Sequence, residues 1–402
     1  MRFIVSTIGT SMNERKNHTS LTEKSFIVST IGTSILTNNI DGNNQDEANW
    51  RRILGISANN KKKELQEEHK TVIDTLEERA RKKLAQDDVE IRRQASAELN
   101  GIYGIYEGTL PENTSDQHYL ICTDTYQGRT TGDLIKDFLS EQGFDVAIEM
   151  PKQLSTKDTN SFTNGTKELI KWLEDNVPWR RDNGYQVIFN LVGGFKSLQG
   201  YMQTFGTFYA DETVYIFEGS SDLIKIPRLP IQIDTAVIEN HLIKFALMDA
   251  GKLYSTEEIE GIPETLLEFV QENGMTFAGL SAWGGLIWQR TKSDLLSGEL
   301  LQFPNLGYRR SFIDNYKVLN PQQRTDLQET LAQIATALEE TSGDTTRLNE
   351  RVSGLNFQPL AGFDNIYTFR IARGIRVSCS IADDGLYLYR YGPRNTINRN
   401  PN

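Results

Sequence analysis

The chain has 402 residues, a formal net charge of −11 and two cysteines. That length can bury a core in each of two or three domains, and the acidic balance excludes a protein that coats nucleic acid along its whole surface. No apolar run approaches the ~18 residues of a membrane span. Phe3-Ile-Val5 runs at once into Ser, Thr and Gly rather than into a signal-peptide core, so a cytoplasmic protein with no membrane partner is expected.

The first predicted element occurs twice: Phe3-Ile-Val-Ser-Thr-Ile-Gly-Thr-Ser11 is repeated letter for letter as Phe26–Ser34. One sheet needs one first strand, and the second copy is favoured because the rest of the pattern follows it directly. Residues 1–24 are then a surplus segment. A polar loop (Thr37–Gln45) and a long charged helical region (Lys61–Leu99), with Leu65, Val72, Leu76, Ala80 and Leu84 on one stripe, come next. There follow a strand at 118–123, a loop at Asp124–Thr131, a helix to Glu141, a strand at 144–149, a helix at 166–176 and a strand at 186–191. A helix through Leu198, Met202 and Phe205 and a hairpin (213–218 and 223–231) complete the alternation. Strands alternating with helices predict an α/β, doubly wound parallel sheet over residues 25–234, with an antiparallel hairpin at its end.

From 235 to 297 the pattern reads as a helical linker: a stripe through Val237, His241 and Phe245, a second helix from Pro263 to Gly274, and a third carrying Trp283 and Leu286. A winged helix reading DNA is the alternative. Residues 298–402 read as a small α+β domain, with a strand near Leu300–Phe303, a helix from Pro321 to Leu338, then further strands. Cys122 and Cys379 fall inside strand patterns without a CxxC or Cys/His cluster, so both are expected as buried thiols.

Three loops leave the predicted sheet on its carboxyl edge, where open α/β sheets bind ligands. They offer Thr30, Gly32, Thr33 and Ser34; Asp124, Thr125, Gly128 and Arg129; and Asn190, Gly193, Gly194, Phe195, Lys196 and Ser197. Hydroxyls, an amide, a glycine pair and two cations, with a helix following, suit an anionic phosphate-bearing ligand. Phe195 stands where a P-loop needs glycine, and no GxGxxG follows any strand, so neither an NTPase nor a dinucleotide site is expected. A simple tight turn at Gly193-Gly194 beside a solvated Lys196 remains the alternative. At these residues, over about 25–234, the chain resembles the CARF family, the CRISPR-associated Rossmann-fold sensors. That resemblance implies a Rossmann-like parallel sheet sensor domain. It also implies a homodimer that binds a cyclic oligoadenylate, with cyclic tetra-adenylate favoured, across its two-fold axis. The ligand would be an allosteric activator rather than a cofactor. A ring nuclease that degrades this ligand, with Thr33, Ser34 and Lys196 orienting a 2′-hydroxyl, is a further alternative.

Charge changes sign toward the end of the chain. From Arg347 onward there are eight Arg and no Lys against four acids, so 8 − 4 gives +4, which points this region alone toward polyanions. The last histidine is His241, which excludes an Arg-x(4–6)-His ribonuclease motif here. Alternation in Tyr367–Ala372 and Ile375–Ile381 puts Thr368 and Arg370, and Arg376, Ser378 and Ser380, on an outward face, with Arg394 just past Gly392-Pro393. Gly374-Ile-Arg-Val377 and Tyr391-Gly-Pro-Arg394 resemble the signature of RelE-type mRNA interferases over about residues 300–402. The resemblance implies a RelE-like fold and metal-free cleavage of mRNA in the ribosome by attack of a ribose 2′-OH on the adjacent phosphate. Arg376 and Arg394 would bind the phosphate and Arg370 would stand nearby. The late tyrosine of that family is absent, leaving Tyr391 or Tyr389 as candidate base. The two resemblances together imply a metal-independent endoribonuclease of type III CRISPR antiviral defence, activated by cyclic oligoadenylate.

Overall fold

The computed structural model describes residues 24–112, 114–217 and 222–402. The first copy of the repeat lies outside the described residues. The second forms β1 (Lys24–Thr30), whose apolar residues Phe26, Ile27 and Val28 are wholly buried. After it come α1 (Ser34–Thr37), α2 (Trp50–Ser57), α3 (Glu67–Leu84), α4 (Val89–Ala95) and α5 (Ala97–Ile105). The charged helical region expected over Lys61–Leu99 is made of α3, α4 and the start of α5. Asp88 caps α4 by accepting from the Glu90 and Ile91 amides, and Ser96 caps α5 by accepting from the Leu99 amide. Each cap takes up orphan N–H groups and fixes a chain reversal.

The alternation then runs β2 (Gln117–Ile121), α6 (Tyr126–Glu141), β3 (Asp145–Glu149), α7 (Thr159–Asp182), β4 (Tyr185–Asn190), α8 (Lys196–Tyr209), β5 (Glu212–Ile216) and β6 (Leu223–Pro227). The loop expected at 124–131 is shorter than its sequence suggested. Thr125 caps α6 by accepting from the Gly128 amide at 3.0 Å, so the helix already begins at Tyr126. The sheet order is β3-β2-β1-β4-β5-β6, parallel except for the β5–β6 hairpin. One apolar core, with Ile73, Leu76, Leu99 and Ile135, covers one face; another, with Leu169, Leu173, Met202 and Phe205, covers the other. The expected parallel-sheet α/β architecture is present in this mixed α/β protein.

Beyond β6 lie α9 (Ala236–Asn240), α10 (Leu242–Asp249), β7 (Tyr254–Ser255), β8 (Leu267–Glu272), β9 (Met275–Leu280) and α11 (Ala282–Leu296). The helix expected from Pro263 to Gly274 is instead one 3-10 turn followed by the β8–β9 hairpin. Asn273 and Gly274 both take positive φ at its turn (51° and 79°), as a tight hairpin requires. Next are β10 (Leu306–Tyr308), α12 (Arg310–Lys317), α13 (Pro321–Glu340), α14 (Leu348–Arg351), β11 (Gln358–Pro359), β12 (Tyr367–Ala372), β13 (Ile375–Ala382), β14 (Gly385–Pro393) and α15 (Arg394–Arg399). The strand expected at Leu300–Phe303 falls instead at Leu306–Tyr308. The second sheet has the order β10-β14-β13-β12-β11, antiparallel apart from β10–β14.

One hydrophobic core runs without a break from Ile238, Phe245 and Trp288 to Leu331, Phe369, Val377 and Leu388. The linker and the C-terminal sheet thus share an interior across residue 297. Both thiols, Cys122 and Cys379, are buried and unbridged, as expected. No described helix is long and apolar enough to cross a membrane.

Candidate nucleic-acid and anion sites

The C-terminal arginines meet. Arg370 and Arg376 are direct cross-strand partners in β12 and β13 and so share a sheet face. Arg376 pairs with Gly392 on β14, and Arg394 opens α15 two residues later, its amide donating to the Gly374 carbonyl at 2.8 Å. Arg370, Arg373, Arg376 and Arg394 line one cavity of about 530 Å³ with Ala372, Gly374 and Ile375. Arg376 is the deepest, only 7% exposed, and donates from Nη1 to Thr368 Oγ1 at 2.9 Å. With its amide turned so that the oxygen faces the guanidinium, Asn356 accepts from Arg370 Nε at 3.2 Å.

None of these four guanidiniums pairs with a carboxylate among the described residues. Burial first, and the like charges of Arg394 and Arg370 after it, hold the Arg376 guanidinium below its ordinary pKa. A partly desolvated cationic cluster without counter-charges is electrostatically unsatisfied, and a bound phosphodiester would relieve it.

Two expectations for this face need correction. Ser378 and Ser380 do not face solvent: the C-terminal segment covers the middle of the sheet, with Ser378 Oγ donating to the Pro401 carbonyl, Arg390 Nε to the Asn402 carbonyl, and Ile397 buried beneath. Tyr391 does not join the arginines. It is the cross-strand partner of Val377 and packs on the apolar side against the core, its amide donating to Asn315 Oδ1 at 3.0 Å. Tyr389 does reach the polar side, where an irregularity of register at Ser378/Cys379 lets its hydroxyl meet Ser380 Oγ at 3.1 Å. Arg373 was missed in the sequence because it sits in a turn, outside the strand alternation that sorted its neighbours.

At the carboxyl edge of the first sheet the expected residues divide. Thr30 is wholly buried and donates to the Gly193 carbonyl at 2.5 Å, tying β1's loop to that of β4. Asn190 is also wholly buried, donating to Ser29 Oγ (3.2 Å) and the Glu98 carbonyl (3.1 Å). A Cβ at Gly128 would stand 2.4 Å from Thr123 Oγ1. These three residues, with the cap Thr125, build the scaffold and offer no free polar group. Gly194 has φ +102° and stands against Thr30, the close approach that a side chain would forbid.

Thr33, Ser34, Gly194 and Phe195 are half-buried, and Lys196 and Ser197 are exposed at the start of α8. Lys196 has no hydrogen bond or ion pair among the described residues, whereas Phe195 packs into the core below. Asp124, Thr125 and Arg129 line a different cleft, about 420 Å³, with Lys61 and Arg81. There Asp124 pairs with Lys61 at 2.9 Å and Arg129 with Asp133 at 3.7 Å.

The residue that organises the glycine loops is Glu98, which the sequence pattern does not single out. It is wholly buried in the first turn of α5. Its Oε1 accepts from the Gly32 amide (2.7 Å), and its Oε2 from Ser34 Oγ (2.7 Å) and Ser96 Oγ (2.6 Å). In the sequence it looked like one more acid of a solvated charged stretch. The only hint was Ser96 two residues earlier, a helix cap placing Glu98 at an N-terminus.

Fold and sites define the class: a mixed α/β protein with a loop cradle at the edge of a mostly parallel sheet and an unpaired arginine cavity on a second sheet. Residues 93–229 match the family described as CRISPR-associated protein (Cas_APE2256), so the chain is similar to CRISPR-associated proteins over the later part of the first sheet. Among solved structures, the RelB–RelE antitoxin–toxin complex from Methanococcus jannaschii matches at 15% identity, over 23% of this chain and 93% of that one, with a TM-score of 0.17.

Proposed function

We propose that the protein is a metal-independent endoribonuclease of type III CRISPR defence, which cleaves mRNA on the ribosome when a cyclic oligoadenylate, cyclic tetra-adenylate in the first instance, binds the edge of the first sheet of a homodimer. The observation that carries the nuclease reading is the cavity of Arg370, Arg373, Arg376 and Arg394 with no carboxylate among them. Such a cluster would grip the scissile phosphate and stabilise the charge that develops as a 2′-oxygen attacks it and the 5′-oxygen leaves. The CRISPR-associated match over residues 93–229 supports the cellular setting. The exposed Lys196 and Ser197, at the start of α8, suit a ring phosphate.

The test is mRNA cleavage by the full chain with and without ribosomes and with and without cyclic tetra-adenylate. Cleavage by the wild type only with both, and its loss in Arg394→Ala with ligand binding intact, is the expected result. Wild-type cutting rates in Arg394→Ala would refute the site.

A ligand-responsive DNA-binding regulator is a second reading, since the three-stranded β7-β9-β8 sheet beside α10 and α11 has the outline of a winged helix. Its hairpin carries Glu268 and Glu272 and exposes Phe269 and Met275, a poor surface for a phosphate backbone. A duplex gel shift separates the two.

A further inference from the structure

Glu98 is a buried carboxylate without a cation, placed inside loops that the proposed function assigns to a polyanion. It receives three hydrogen bonds, all from neutral donors, and makes no ion pair among the described residues. A buried charge with no counter-charge is costly and is seldom kept without a use. Here it is held in the first turn of α5, where the helix dipole favours an anion. The donors it occupies are the Gly32 amide and the Ser34 hydroxyl, two groups that the sequence offers to ligand phosphate. A Cβ on Gly193 would stand 2.1 Å from its Oε1, so the second loop closes directly over the carboxylate.

We infer that Glu98 is the resident anion of this cradle, and that ligand phosphate competes with its carboxylate for the Gly32 amide and the Ser34 hydroxyl. The inference rests on the ligand reading proposed above and deepens it. In the free protein the carboxylate does the work of a phosphate: it draws the loop after β1 onto the loop after β4, aided by the Thr30–Gly193 hydrogen bond. An arriving polyanion meets a negative charge in a poorly screened site. Binding therefore requires the first turn of α5 to yield. Because α5 also supplies the backbone carbonyl that Asn190 holds, that yielding is felt at the end of β4. Glu98 thus acts as a positioning and selecting residue, and an uncharged ligand of the same shape would not be penalised by it.

Glu98→Gln isolates the charge. Both partners of Oε2 are hydroxyls, which can turn to accept from an amide NH₂, while the remaining amide oxygen still accepts from Gly32. Calorimetric titration of the full chain with cyclic tetra-adenylate should show the variant binding about tenfold tighter or more, with the free variant melting no lower than the wild type. Equal or weaker binding by a folded variant overturns the inference while leaving the ligand reading intact. Absence of binding by wild type and variant alike overturns both, and binding by the variant alone supports the inference. Should the variant fail to fold, hydrogen exchange on the wild type decides. Ligand should lower protection of the peptide spanning 96–105 while residues 30–34 stay protected, and a gain or no change at 96–105 overturns the competition.

Discussion

Arg376→Gln should make the free protein more stable and sharply reduce the nuclease activity proposed above. The charge at Arg376 is nearly buried, faces Arg370 directly across the strand pair, and feels Arg394 from the same cavity. Directly opposed like charges on a sheet are destabilising. For unit charges several ångströms apart at an effective dielectric near 20, each repulsion is worth about 2 kcal/mol before screening. Two such interactions, reduced by the exposure of Arg370 and Arg394 and by lost packing of the arginine stem, leave an expected gain of about 1 kcal/mol. Glutamine keeps an NH₂ donor for Thr368 Oγ1, so the loss of that hydrogen bond does not mask the gain. Urea denaturation at low and at moderate salt measures it, and the advantage should shrink as salt rises, because salt screens the repulsion that the substitution removes. The same change should lower mRNA cleavage by about 10²-fold or more, the scale of losing one charge-stabilising donor. A variant less stable than the wild type at every salt concentration, cutting at an undiminished rate, would refute the unsatisfied-cluster argument.

Two further outcomes are expected. His118 is wholly buried beside the Tyr106 hydroxyl, and burial pushes its pKa down to about 3. The unfolded chain therefore takes up a proton near pH 6.5 that the folded one refuses. Stability should be full above that pH and fall below it, toward pH 3, by up to about 1.4 kcal/mol per pH unit, a slope that urea titrations of His118→Gln should lack. Gly165 on α7 lies against the backbone of Leu154, where a Cβ would stand 2.3 Å from Leu154 Cα. Gly165→Ala should accordingly cost about 1–3 kcal/mol, seen as a lowered thermal midpoint.

The parallel sheet was legible because its strands are short apolar runs ending in small polar residues, and the second repeat copy continues straight into the pattern that β1 needs. The linker was misread where periodicity was ambiguous. Thr265–Gln271 is an apolar-rich stretch between Pro263 and Asn273-Gly274, and nothing local says whether such a stretch is helix or strand; pairing with β9 decides it. The arginine cavity was visible for a different reason. A two-residue period sets the faces of Arg370 and Arg376 within their own strands, and the β12–β13 register, with its irregularity at Arg370/Ala372, makes them direct partners. The same period could not foresee that residues 394–402 would fold back over Ser378, nor that Tyr391 would turn inward opposite Val377. Glu98 stayed hidden because burial of a carboxylate depends on donors from loops 60 or more positions away in the chain.

The two sites are joined by packed matter, and α11 is the piece that joins them. On one side Trp283 stacks on Tyr201 of α8 at 4.7 Å, and Ala282 and Leu286 enter the core formed by Leu169, Leu173 and Met202. Glu174 of α7 reaches Arg290 at 3.5 Å. On its other side Trp288 belongs to the core of the C-terminal sheet, Thr325 and Gln328 of α13 donate to the Ser293 and Leu296 carbonyls, and Lys292 meets Glu329 at 2.6 Å. Close-packed interiors transmit displacement rather than absorb it. A shift in the first turn of α8, where Lys196 stands five residues before Tyr201, thus has a continuous side-chain route to α13 and to the sheet that carries Arg376. Had residues 235–297 been a solvated tether, ligand binding at the first sheet could change only the local concentration of the second. Because α11 is shared between two cores, the ligand binding proposed for the first sheet would bias the packing of the arginine face itself.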